Sequence, residues 1–150
     1  MPRDKRQLSR DILSLKNIYP NRLDDGFQRI FYDNNEGEFV CVNGVPIGVE
    51  GYTLGKMPVR EINIMLRIPD DYPLTIPGET HDPLFGIPIN LAFKGEDLRN
   101  AHVWPMGGDW EQNNWAWVCL LFPDKPVRRD LVASLNLLLS TLRIFARTGK

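Results

Sequence analysis

Cysteine is scarce in this chain, since Cys41 and Cys119 are the only two among its 150 residues. The N-terminal residues 1–4 do not resemble a signal peptide. Two widely separated thiols without such a signal indicate free thiols in a reducing cytosol rather than a disulfide framework. No apolar run approaches the length needed to span a bilayer. We therefore expect a cytoplasmic protein with no membrane partner.

An excess of charge of one sign is also missing. Lys and Arg number 18 and Asp and Glu number 19, which leaves a net charge of −1. The two signs are interspersed, so no basic stripe marks a nucleic-acid footprint and no nucleic-acid partner is expected. The chain has no internal repeat, no Ser-His-Asp elbow, no phosphate-binding loop and no paired-carboxylate motif.

The patterns that are present predict an α+β domain. Isoleucine or leucine occupies every second position from Ile62 to Ile68, which is the period of a half-buried antiparallel strand. Apolar residues at helical spacing predict a first helix over residues 4–18. A leucine stripe from Leu131 to Phe145 predicts a last helix of about five turns, with Pro126 near its start. A chain of this length is expected to form a single domain, residues 1–150.

The remaining elements are predicted with less regular patterns. Strands are expected over residues 27–33, 38–43, 60–68 and 86–93, with a hairpin turn at residues 33–37 between the first two. Residues 78–114 otherwise show little periodicity. So long an irregular stretch inside a compact domain is often functional.

The segment IPDDYPLTIP, residues 68–77, resembles the third strand and following loop of ubiquitin-conjugating enzymes, whose usual form is FPxDYPxxPP. The preceding segment, residues 42–69, is similar to the family's GPxxTPYxGGxFxLxIxFP. Leu131 lies 12 residues beyond Cys119, which matches the family's spacing from the active cysteine to its long helix. The resemblance implies a UBC-like fold: an N-terminal helix, a four-stranded antiparallel meander, an active-site loop and a long C-terminal helix.

The chain departs from the family pattern in two places. Tyr72 and Cys119 are 47 residues apart, about twice the usual spacing, so an insertion precedes the cysteine. The family's His-Pro-Asn tripeptide is absent, and residues 102–104 look like the His-Val-Tyr variant of bacterial members. The sequence shows one C-terminal helix where eukaryotic members usually have two more, and this shortness, with the lost tripeptide, resembles the family's diverged bacterial branch. Bacterial members are encoded beside a ubiquitin-like modifier, an activating enzyme and a deconjugating protease, often in anti-phage defence operons.

The chemistry that the resemblance implies is transthiolation on Cys119. A thiolate accepts the modifier's C-terminus as a thioester and yields it to an amine, so the thiol must be reachable. The local sequence Trp-Val-Cys-Leu-Leu around Cys119 also fits a small core thiol. Cys41 lies inside a predicted central strand and is expected to be structural.

The resemblance also suggests further catalytic residues. His102 would orient the active-site loop or tune a proton. Asn113 and Asn114 are candidates for the missing oxyanion donor, and Asn100 is a third. A zinc site built from His81, His102 and Cys119 would need a fourth ligand and matches no zinc pattern. No metal or cofactor is therefore expected.

The expected partners are the ubiquitin-like modifier, its activating enzyme and a target protein. The family docks its activating enzyme on basic residues of the first helix, which here are Lys5, Arg6 and Arg10. Its ligases bind at positions that correspond to Phe122 and Pro123. Two alternatives stay open: a catalytically inactive module that recruits the modifier or activating enzyme, and a scaffold domain that shares only the meander.

Overall fold

The computed structural model describes residues 2–21, 28–97, 103–104 and 115–148. Two helices and ten strands lie within these ranges. In chain order they are α1 (Lys5–Ile18), β1 (Ile30–Tyr32), β2 (Phe39–Pro46), β3 (Tyr52–Leu54), β4 (Met57–Pro58), β5 (Glu61–Arg67), β6 (Phe85–Pro88), β7 (Leu91–Phe93), β8 (Glu96–Asp97), β9 (Val103–Trp104), β10 (Trp115–Val118) and α2 (Leu131–Thr148). The α+β class and the two terminal helices are confirmed.

The strands form two antiparallel sheets. A six-stranded sheet has the order β1-β2-β5-β6-β10-β9, and a four-stranded sheet has the order β4-β3-β7-β8. The first four strands of the larger sheet are sequential antiparallel neighbours, but β10 and β9 extend it beyond the four strands that were predicted. The predicted strand over residues 86–93 is corrected to two strands in different sheets, since β6 ends at Pro88, which cannot donate to a ladder.

Both helices bury their predicted apolar faces in the main core. Asp4 is the N-cap of α1, and its side chain accepts hydrogen bonds from the backbone N–H groups of Arg6 and Gln7, both at 3.1 Å. Asp130 does the same for α2, where its carboxylate accepts from the Ala133 N–H at 2.9 Å. The stripe residues are all at most 5% exposed: Leu8, Ile12, Leu15, Leu131, Leu135, Leu138, Leu142 and Phe145.

The opposite face of the six-stranded sheet carries a second, smaller apolar cluster. Cys41, Met65 and Trp117 are buried together there, with Phe39 and Trp115 packed at its border. Gly86 lies between Met65 and Trp117 in the register. A Cβ added at Gly86 would lie 2.9 Å from Met65 Cβ and 3.1 Å from the indole of Trp117. The glycine therefore leaves the space that the Trp117 indole occupies, and the indole packs in one cluster with Cys41 and Met65.

No helix in the part of the chain that the structure describes is both long and apolar enough to cross a membrane.

Candidate functional site

Cys119 is the first residue after β10, at the point where that strand leaves the ladder. Its last ladder neighbour, Val118, pairs with Phe85, and no strand continues through the cysteine. The side chain is half-buried, between the buried residues Val118 and Leu120. Its thiol donates a hydrogen bond to the backbone carbonyl of His81, with 2.9 Å between Sγ and the oxygen. The thiol thus lies where the sheet ends, against a loop rather than in the core.

The loop beside Cys119 is packed between the post-β10 segment and α2. The backbone N–H of Phe122 donates to the Gly78 carbonyl at 2.8 Å. The hydroxyl of buried Ser134 on α2 donates to the Pro77 carbonyl at 2.6 Å. Gly78 has a φ of +108°, and a Cβ there would lie 2.6 Å from the Phe122 ring and 2.8 Å from Leu137 Cδ2. Only glycine allows this close packing.

Cys41 has a different environment. It is buried in the middle of the sheet, and burial raises the pKa of the Cys41 thiol to about 11. Its only described polar contact is with its neighbour two residues on, since Sγ lies 3.4 Å from the Asn43 side-chain oxygen. A thiol that is buried and protonated at neutral pH is a poor nucleophile. This arrangement fits the structural role that the sequence suggested.

A thiol-specific alkylating reagent is expected to label Cys119 faster than Cys41 in the folded protein. The physical reason is that Cys41 is buried with a raised thiol pKa, whereas Cys119 is only half-buried. Peptide-resolved mass spectrometry at several times of reaction measures both sites in one sample. Denaturant provides the control, because unfolding should bring the two rates together. Equal and slow labelling of both cysteines before denaturant is added would contradict the assignment.

An apolar groove of about 580 Å³ begins two residues after Cys119 and follows the outward side of α2. The segment after the cysteine forms one wall, with Leu121, Phe122 and Pro123. The helix forms the other wall, with Val132 and Ile144 among its lining residues. Leu121 and Ile144 are both exposed although apolar. The predicted partner-binding residues Phe122 and Pro123 therefore line this groove, within four residues of Cys119 in the chain.

The other predicted site residues fall in two groups. His102, Asn113 and Asn114, together with Asn100, lie outside the described residues. Lys5, Arg6 and Arg10 are exposed on α1, a separate element from the one that carries Cys119. The ammonium group of Lys5 donates to the Asn35 carbonyl at 2.8 Å, so it also ties α1 to the turn between β1 and β2.

A buried polar network that sequence reasoning missed joins α1 to the loop after β5. The Tyr72 hydroxyl donates to the Asp11 carboxylate, and the Gln7 side chain donates to the same carboxylate at 2.9 Å. Burial raises the pKa of Asp11, and the two hydrogen bonds oppose that rise. The sequence contains one indication of this network, because Asp11 falls on the apolar face of α1, three residues after Leu8.

Tyr72→Phe is expected to destabilise the protein by about 1–3 kcal/mol at neutral pH, because it leaves a buried carboxylate with one donor fewer. The loss should depend on pH. Since the Tyr72 hydrogen bond lowers the pKa of Asp11, its removal raises the folded-state pKa further above the ordinary value of 3.8. Ionisation of Asp11 in the folded variant then costs more free energy than in wild type. The loss of stability should therefore be small below pH 3.8 and grow as the pH rises through the folded-state pKa of Asp11.

Urea unfolding of both proteins across acidic and neutral pH measures this difference. Tyr32→Phe is the matched control, because Tyr32 is an exposed tyrosine of β1 and its replacement should be nearly neutral at every pH. A loss for Tyr72→Phe that stays constant with pH would show that Asp11 does not titrate with the network.

The fold and site define an antiparallel α+β domain with one half-buried thiol at the end of a strand. Comparison of the chain with protein-family models, with curated proteins and with solved structures finds no match. Within the described residues, no group of three or more His, Cys, Asp or Glu side chains is arranged to hold a metal ion.

Proposed function

We propose that this protein is a ubiquitin-conjugating-type enzyme that carries a ubiquitin-like modifier as a thioester on Cys119. The observation that carries the proposal is the position of this thiol. It is half-buried at the end of β10, beside a packed loop and two residues before the segment that lines the apolar groove along α2. The order of helix, antiparallel strands, cysteine and long helix supports the UBC-like assignment that the sequence motifs suggested.

The reaction consists of two acyl transfers. The Cys119 thiolate attacks the thioester carbonyl between the modifier and the activating enzyme, and the activating enzyme's cysteine leaves as a thiolate. An amine of the target then attacks the new thioester, loses a proton and releases Cys119 as a thiolate. Both steps develop negative charge on the carbonyl oxygen, which hydrogen-bond donors stabilise. Asn113 and Asn114 are the proposed donors, and His102 is proposed to orient their loop.

The groove along α2 suits a modifier that is attached to Cys119. A modifier held by its C-terminus is present at high effective concentration near the attachment point, so a modest apolar contact is enough to hold it. The exposed apolar side chains Leu121 and Ile144 would be covered by such a contact. A target or ligase that touches Phe122 or Pro123 would reach the same end of the groove.

The exposed face of α1 is the proposed docking site of the activating enzyme. Arg6 and Arg10 are exposed there, and the apolar side chain of Leu13 is 58% exposed beside them. Basic residues around an exposed leucine offer both charge attraction and apolar contact area to an acidic partner surface. We place the whole system in a bacterial ubiquitin-like conjugation pathway of the anti-phage defence type.

The direct test is incubation with the ubiquitin-like modifier and activating enzyme encoded beside this chain, together with ATP. A non-reducing gel should show an adduct of the chain and the modifier that a thiol reductant removes. Omission of ATP or of the activating enzyme should prevent the adduct. If no adduct forms while the chain still binds the modifier or the activating enzyme, the inactive binding module replaces the proposed enzyme.

A further inference from the structure

The loop formed by residues 78–82 contacts the half-buried thiol of Cys119 through one hydrogen bond. The cysteine S–H donates to the His81 carbonyl oxygen at 2.9 Å. Only the thiolate is a nucleophile, and a thiolate has no proton to donate. The negative charge of a Cys119 thiolate would also face the negative end of the His81 carbonyl dipole. The contact must therefore break before Cys119 can act as a nucleophile.

The loop around His81 is held by a contact between its own side chains and by a contact with the segment after β10. The Thr80 hydroxyl donates to the Asp82 carboxylate at 3.1 Å, so the residues on either side of His81 are joined. The Phe122 N–H donates to the Gly78 carbonyl at 2.8 Å. These two contacts, together with the Cys119 hydrogen bond, hold the loop and the post-β10 segment side by side.

An ion pair joins this loop to Arg129, which lies just before the start of α2. Arg129 donates from Nε to one carboxylate oxygen of Glu79 at 2.8 Å and from Nη2 to the other at 2.5 Å. The Arg129 hydrogen bonds lower the pKa of Glu79, so the carboxylate is charged at neutral pH. Arg129 Nη2 also donates to the Leu74 carbonyl at 2.9 Å. Such a two-bond pair fixes direction as well as distance.

We propose that residues 78–82 form an autoinhibitory cap on Cys119, held closed by the Glu79–Arg129 ion pair, which must open before the thiol can attack a thioester. Arg129 is then a positioning residue, which acts on Cys119 only through the loop. The side chains of Glu79 and Arg129 are 23% and 32% exposed, so a partner that docks beside α2 can reach and separate them. The use of the cap in conjugation rests on the proposed function, whereas its closure is a property of the thiol alone.

The test measures alkylation of Cys119 by iodoacetamide at neutral pH, resolved by peptide mass spectrometry. Arg129→Ala should accelerate labelling of Cys119 by roughly tenfold, the factor expected when the closed loop loses its charge-assisted hydrogen bonds. Glu79→Gln should act in the same direction, and Arg129→Lys should fall between wild type and Arg129→Ala, because lysine keeps the charge but not the two-bond geometry.

Two controls separate local opening from general loosening. Cys41 is an internal control, because its labelling should stay at the wild-type rate if only the cap opens. Arg60→Ala is the matched control, since it removes an exposed arginine from the Glu50 ion pair elsewhere on the surface. It should leave both cysteines unchanged. Unaltered Cys119 labelling in Arg129→Ala and Glu79→Gln would overturn the cap, and so would a parallel rise at Cys41.

The outcome for the cap is distinguishable from the outcome for the proposed function. Faster alkylation in the variants without any thioester adduct in wild type supports the cap and rejects the enzyme. A thioester adduct in wild type with unaltered alkylation in the variants supports the enzyme and rejects the cap. Where both hold, Arg129→Ala should also load the modifier faster than wild type.

Discussion

Cys119→Ala is expected to abolish the reducible adduct with the modifier while the protein stays folded. The side chain is half-buried at the end of β10 and its described hydrogen bond is to one loop carbonyl, so its truncation removes the nucleophile without opening the core. A non-reducing gel measures the adduct, and circular dichroism with a thermal melt measures the fold. Persistence of the reducible adduct in this variant would show that Cys119 is not the carrier.

Two further cysteine variants sharpen this result. Cys119→Ser should trap an adduct that survives reductant, because serine keeps a weaker oxygen nucleophile at the same place and forms an ester. Cys41→Ser should keep the reducible adduct, since Cys41 is buried on the far face of the sheet and its replacement retains a donor for Asn43. Loss of the adduct in Cys41→Ser with an intact fold would instead assign the transfer to Cys41.

Leu138→Ala is expected to cost about 2–5 kcal/mol of unfolding free energy. Leu138 is 1% exposed on the face of α2 that packs into the main core, so truncation leaves a cavity in addition to the lost apolar burial. Denaturant titration followed by circular dichroism measures the change in the unfolding midpoint. Leu135→Ala should behave in the same way, because Leu135 is buried in the same cluster.

Leu13→Ala is the matched control for this loss. Leu13 is the same residue type on a helix, but it is exposed on α1, and its replacement should change the unfolding free energy by no more than about 0.5 kcal/mol. Similar small effects for Leu138→Ala and Leu13→Ala would mean that α2 does not pack its leucine stripe against the sheet in solution.

Much of the site assignment depended on the order of motifs rather than on local sequence. Cys41 and Cys119 both stand among apolar residues, and local composition does not separate them. In the structure Cys41 pairs with Phe31 and Met65 inside the sheet, whereas Cys119 follows the last ladder pair of β10. Accessibility was therefore decided by where β10 ends, which no periodicity in the sequence marks.

The sequence by itself determined the elements whose signals are local. The period-two pattern of β5 and the helical stripes of α1 and α2 encode which face of each element is apolar, and burial of that face follows for any arrangement that forms a core. The larger sheet was predicted less completely, because β9 and β10 are short and their pairing with one another and with β6 depends on the tertiary arrangement.

Only the tertiary structure decided which polar groups meet. Tyr72 and Asp11 are 61 positions apart, and Glu79 and Arg129 are 50 apart. Asp, Glu and Arg are usually solvated and Tyr is intermediate in burial, and nothing in the spacing of one residue indicates its partner. Contacts of this kind form because the folded sheet and helices bring distant loops together, where burial makes an unpaired polar group costly. The chain thus encodes its core by local periodicity, while the surroundings of Cys119 exist only once that core has formed.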